Sequence, residues 1–241
     1  MIARFLGIDF GWRSQPSGVC CLEWRGDSLY LLHLDRLLAV ETILQWVDTW
    51  QIATTLIAVD APTIIPNPTG MRVPDRLTHQ YFRQYHAGCY PANLSRPFAQ
   101  RTVSLGRALE ARGFIHAPQI VPQAAGKYQI EVFPHPAIVH LFGLDRILKY
   151  KKGILTARKR ELSKLKTYIE NVLTEIEPKL HLEQPLPSIP DKGTELKVVE
   201  DQLDSLICAY VGAYWWYWGS SRNLTLGSEE TGYIIVPQAL C

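Results

Sequence analysis

Acidic residues close the short apolar runs of this chain, and that limits its fold more than any other feature. Asp9 ends FLGID, Asp60 ends LIAVD, Glu131 sits inside YQIEVF, and Asp204 lies in the apolar stretch VVEDQLDSLICAY. An ionised carboxylate buried in such surroundings costs several kcal/mol unless something pairs with it. A shared divalent cation, which takes oxygen ligands, would serve all four at once. The expectation is a sheet whose strand ends, together with one helix face, bring these carboxylates to one place.

The order of elements reads as α/β. RFLGIDF is a buried strand, followed by a loop from Gly11 to Pro16. GVCCLEW and SLYLLHL, split by Arg25, Gly26 and Asp27, read as a hairpin. Residues 40–50 space Ile43, Leu44, Val47 and Trp50 at threes and fours, which predicts a helix. TTLIAVDAP gives a buried strand closed by Pro62. Residues 63–125 then break the pattern: Pro66, Pro68, Gly70 and Pro74 lead into Arg-rich helical segments around 75–85 and 98–112. They read as a helical insertion over one rim of the sheet, within a single domain spanning residues 1–241.

YQIEVFPHP is a further short strand, and residues 137–142 form a helical turn or two. Residues 156–176 make an amphipathic helix with Leu162, Leu165, Ile169 and Val172 on one face. Residues 178–193 hold four prolines and read as a loop. Residues 196–218 form a long apolar helix stopped by Gly219, and GYIIVP is a last strand.

The chain is 47% hydrophobic and 20% charged, which is ordinary globular material. No window approaches the ~18 apolar residues of a membrane span, and no signal-peptide layout opens the chain, so a cytoplasmic protein is expected. Its five cysteines are odd in number and lack a C-x-x-C, which favours reduced thiols over zinc or disulfides. The net charge of +2 hides an asymmetry. Residues 146–166 carry nine Lys or Arg against Glu161, and residues 72–112 carry seven Arg against Asp75 and Glu110. One face is therefore suited to a polyanion, with two solvated surfaces as the plainer alternative.

Gly7 and Gly11 flank Asp9 and would let phosphate or metal approach the backbone. Pro62 holds Ala61 extended and presents Asp60 at the strand's C-terminal edge, where ligands bind in open α/β sheets. Glu131 needs a partner, and a metal, a substrate amine or an arginine would each serve. His135, on the following turn, is a candidate acid/base or phosphate contact. Asp201 and Asp204 are three apart and share one side of the last long helix, where Asp201 is equally placed to complement the helix dipole. The candidate catalytic residues are Asp9, Asp60, Glu131 and Asp204, and the candidate metal ligands Asp9, Asp60, Asp201 and Asp204. Arg76, His135, Lys151, Lys159 and Arg160 are the candidate substrate contacts.

Assembled, these residues resemble the ribonuclease-H-like nuclease superfamily. The run D-x-x-D-S-L from Asp201 is similar to the corresponding helix of Holliday-junction resolvases. More narrowly, GIDFGW, AVDAPT, EVFPHPA, LFGL…YKKG, EDQLDSLICAYVGAYWWYWG and GYIIVP, in that order, resemble domain-of-unknown-function family 429, regarded as predicted nucleases with that core. The similarity covers residues 4–237. It implies a ribonuclease-H-like mixed β-sheet flanked by helices, with metal acids on the first strand, the fourth strand and the late helix. Those places hold Asp9, Asp60 and the Asp201/Asp204 pair, while Glu131 departs from the superfamily's usual placement.

The chemistry expected is hydrolysis of phosphodiester bonds in DNA or RNA, with two Mg²⁺ or Mn²⁺ ions bridged by Asp9. One alternative is a nucleotide-binding protein of the actin-like or sugar-kinase type. Those proteins need two copies of the core and a second Gly-rich phosphate loop. The other is a binding module that does not catalyse.

Overall fold

The structure is a computed structural model that describes residues 1–12 and 16–240; part of the loop expected from Gly11 to Pro16, and Cys241, lie outside them. Strands β1 (Ala3–Asp9), β2 (Ser17–Arg25) and β3 (Ser28–Leu37) form an antiparallel meander. Helix α1 (Val40–Trp50) buries Ile43, Trp46 and Val47, three and four residues apart, and leads to β4 (Thr55–Val59), which lies parallel to β1. Helices α2 (Val73–Phe82) and α3 (Ala99–Glu110) follow, then β5 (Ile115–His116) and β6 (Lys127–Glu131).

Next come α4 (Pro134–Leu141), α5 (Leu155–Val172), β7 (Lys179–His181), α6 (Gly193–Trp218) and the hairpin β8 (Asn223–Ser228) to β9 (Gly232–Pro237). The main sheet has seven strands in the order β5-β6-β4-β1-β2-β3-β7. It is the expected mixed sheet flanked by helices, with a three-strand meander continued by parallel strands.

Strand alternation divides the core into two layers. Phe5, Cys20, Leu22, Leu56 and Ala58 face α4, α5 and α6. Leu6, Ile8, Val19, Ile57 and Val59 face α1 and the Leu105 and Leu109 side of α3. Each fully buried side chain of this size contributes about 1.5–3 kcal/mol. From Leu203 to Trp216 every residue of α6 is buried, as its nearly unbroken apolar sequence requires.

Several elements differ from the sequence expectation. Strands β5, β7 and β8 were not expected. The first two are two and three residues long and are held by backbone pairing to β6 and β3, which leaves no side-chain pattern to read. Strand β7 falls inside the Pro-rich stretch read as a loop, and β5 makes the end of the insertion an edge of the sheet. Helix α4 starts at Pro134, so His135 is on a first helical turn rather than a preceding one. Proline suits that position because the N–H it lacks would be unpaired there anyway. Among the described residues no helix is long and apolar enough to cross a membrane, and Cys20, Cys21, Cys89 and Cys208 are free thiols.

Candidate functional site

Strands β1, β4 and β6 run parallel and adjacent, so their C-terminal ends set Asp9, Asp60 and Glu131 in a row. The Asp60 N–H donates to Ile8 O at 2.9 Å, and Glu131 stands in register with Val59. Helix α6 lies over the same end, backbone against backbone. A Cβ at Gly7 would fall 2.0 Å from Ser205 O, and one at Gly18 would fall 1.9 Å from Asp201 O. Only glycine leaves that room. Gly7 therefore admits the helix rather than a ligand, and the helix carries Asp201 and Asp204 to the strand ends.

Asp204 is fully buried. Tyr150 Oη donates to its Oδ1 at 2.7 Å. Lys151 Nζ stands 2.8 Å from Oδ2, but out of hydrogen-bonding alignment, so that oxygen lacks a donor. Burial raises the Asp9 pKa well above the carboxylate range; Lys151 works against this, while Asp204 and Asp60 add to it. Asp60 is pushed up to about 7, chiefly by burial, with Lys151 opposing and Asp204 reinforcing. Burial also opposes the charge on Lys151, yet Asp204 and Asp9 outweigh it and hold that ammonium's pKa well above its ordinary value. One ammonium thus serves three carboxylates. Asp9 opens on a cavity of about 270 Å³ that it shares with Trp12, Lys197 and Asp201.

The remaining candidates are placed differently. Asp201 has both oxygens engaged, one by Arg36 Nε at 2.7 Å and the other by Lys197 Nζ at 2.7 Å. Glu131 is not gathered with the aspartates. Its Oε1 and Oε2 accept from Arg72 at 2.6 and 2.8 Å, which selects the arginine from the partners its sequence allowed. Arg72 also bonds Asp75, whose Oδ2 accepts from the N–H groups of Arg72 and Ala92. His135 is half-buried, its enclosed Nδ1 has no hydrogen-bond partner, and its ring centre is 5.8 Å from that of Tyr150. Burial first, and Lys151 second, push its pKa down to about 4, so it is neutral at neutral pH.

Lys151, a candidate substrate contact from the sequence, stands against Asp204. Arg76 is exposed and donates to Met71 O. On α5, Lys159 pairs with Asp191, and Arg160 is exposed beside Glu161. Arg72, Tyr150, Arg36 and Lys197 were missed. Only Arg72 carried a signal, the three-residue spacing to Asp75.

Asp9, Asp60 and Asp204 offer the hard oxygen donors that Mg²⁺ or Mn²⁺ takes. Oδ2 of Asp204 faces the Lys151 ammonium at 2.8 Å without an aligned hydrogen bond, so a divalent cation there would replace that ammonium. Among the described residues no three Asp, Glu, His or Cys side chains close around one point tightly enough to hold an ion as they stand. The donor set fits a divalent cation, and an ammonium already stands beside it.

Comparison with known proteins adds a family. The family model described as "Protein of unknown function (DUF429)" matches residues 7–230. No curated protein matches the chain. Among solved structures, T. thermophilus RuvC in complex with Holliday junction substrate superposes with a TM-score of 0.30 at 10% identity, covering 88% of this chain and 97% of that one. A superposition this loose establishes no shared activity.

Proposed function

This chain belongs to the DUF429 family, and we propose that it is a metal-dependent nuclease acting on DNA or RNA. The observation that carries this reading is the group Asp9 and Asp60, at the ends of parallel strands, and Asp204, on the helix laid over them, which among the described residues share the Lys151 ammonium. These three residues would hold the Mg²⁺ or Mn²⁺, with two ions at full loading. Bound there, the metal supplies an activated water and neutralises charge on the departing oxygen. Asp201, neutralised by Arg36 and Lys197, borders the cavity and fixes the position of α6 rather than binding metal.

Lys151 holds the three carboxylates together in the metal-free protein. Released from Asp204, it offers a positive charge to a phosphate. His135, neutral and with a free Nδ1, is available to exchange a hydrogen bond with the same phosphate-bearing ligand.

Thermal-shift titration tests the reading. Mn²⁺ alone should stabilise the wild-type protein by mass action and leave Asp9→Asn unmoved. Cleavage of a labelled oligonucleotide should need Mn²⁺ or Mg²⁺ and vanish in the same variant. Stabilisation that requires ATP together with Mg²⁺ would point to the nucleotide-binding alternative. An indifference to every divalent ion would leave a binding module.

A further inference from the structure

The chain between α4 and α5 faces two ways. Lys151 reaches in to Asp204, while Lys149 and Lys152 line a groove of about 760 Å³ between that segment and α5. Arg146, Arg160 and Lys164 line it as well, and all five cations are exposed. Two acids answer them, Asp145 and Glu161, and Glu161 is shared by Arg160 and Lys164. Among the described residues Arg146, Lys149 and Lys152 form no ion pair, whereas Lys159, on the same helix but outside the groove, is paired with Asp191. Tyr168 lines the groove and stacks on Phe142, with ring centres 5.2 Å apart and planes 12° apart. Ile154, 73% exposed, stands at the rim.

We propose that this groove binds the sugar-phosphate backbone of a nucleic-acid strand as it leaves the carboxylate site; the inference rests on the nuclease reading and gives the substrate its path. Three features select a nucleic acid over an acidic peptide or an anionic membrane. The cations follow a trough, which suits an evenly charged chain better than a flat surface. Tyr168, whose ring lines it, and Ile154 at its rim offer aromatic and apolar contact to bases. The segment that supplies Lys149 and Lys152 to the groove also supplies Lys151 to Asp204, so a strand held in one is delivered to the other.

The test measures binding of labelled single- and double-stranded oligonucleotides across a salt series in Ca²⁺, with wild type, K149E/K152E/K164E, K149Q/K152Q/K164Q and K159E. The charge-reversed triple variant should lose at least about tenfold in affinity, and its log–log salt slope should flatten by about two to three. The Gln variant should fall between it and wild type, and K159E should stay near wild type. A triple variant that binds like wild type overturns the groove, as does a wild-type protein that prefers poly-glutamate or phosphatidylserine vesicles to oligonucleotide. Mn²⁺ thermal shift on the same proteins separates the two readings. Groove-dependent binding without any Mn²⁺ response would sink the nuclease and keep the groove; an Mn²⁺ response with binding indifferent to the groove would do the reverse.

Discussion

Arg72 and Lys151 each stand among carboxylates at the same edge of the sheet, and their surroundings are built on opposite terms. The Arg72 guanidinium bonds both oxygens of Glu131, Asp75 and the Ile64 carbonyl, and Asp75 collects two backbone N–H groups besides. Among the described residues Lys151 is the cation that Asp9, Asp60 and Asp204 share, with Lys197 acting on Asp60 as well, and one Asp204 oxygen has no aligned donor. In a low-dielectric interior a satisfied network is rigid, whereas an incomplete one retains the cost of its unmet groups. The first cluster fastens the start of α2 to β6. The second retains a cost that a bound cation would relieve.

The contrast is sharpest in what each cation's loss should do. Arg72→Met strands two buried carboxylates and should cost about 3–5 kcal/mol in urea titration, or prevent folding. Lys151→Met should destabilise the metal-free protein by about 1–3 kcal/mol, since its carboxylates can protonate instead. It should also bind Mn²⁺ about tenfold tighter by calorimetry, because a competing charge is gone; a weaker Mn²⁺ affinity would make Lys151 a helper of the metal.

Asp204→Asn should lie within about 1 kcal/mol of wild type without metal, since it relieves repulsion and can still accept from Tyr150. A loss as large as that of Arg72→Met would erase the difference between the clusters and make the aspartates structural.

A further test of the aspartate cluster concerns pH. Asp60 holds its proton more tightly folded than unfolded, its pKa rising from 3.8 to about 7. Its contribution is therefore fully present below 3.8 and is lost as pH rises through about 7. Metal-free protein should lose thermal stability across that window with a slope of at most about one proton. Asp60→Asn should flatten the slope, and so should saturating Mn²⁺.

The sequence shows this edge of the sheet more clearly than what neutralises it. Helix α1 runs over Val40–Trp50 as its spacing predicts, and β4 is visible in its β-branched apolar run, because both bury side chains in a regular period. Strands β5 and β7 have no such period, since the backbone of a neighbouring strand holds them. Charge counting placed Arg72 and Lys151 on a polyanion-binding face with Lys149 and Lys152. Sign along a chain carries no direction, and adjacent lysines here point to different sites. Glu131 was legible as a carboxylate in need of a partner, but its arginine lies 59 residues upstream.

Gly7 and Gly18 have a consequence for variation in this chain. Neither has a side chain to offer, and neither borders the cavity at Asp9. Yet alanine at Gly7 must lift α6 from β1, and Asp204 then draws away from Asp9. A scan of tolerated substitutions should therefore mark these glycines as strictly as the aspartates, with the proposed nuclease activity lost while every carboxylate is intact. The sheet works as a ruler laid flush against the helix, and the spacing of the acids is measured by two backbones in contact.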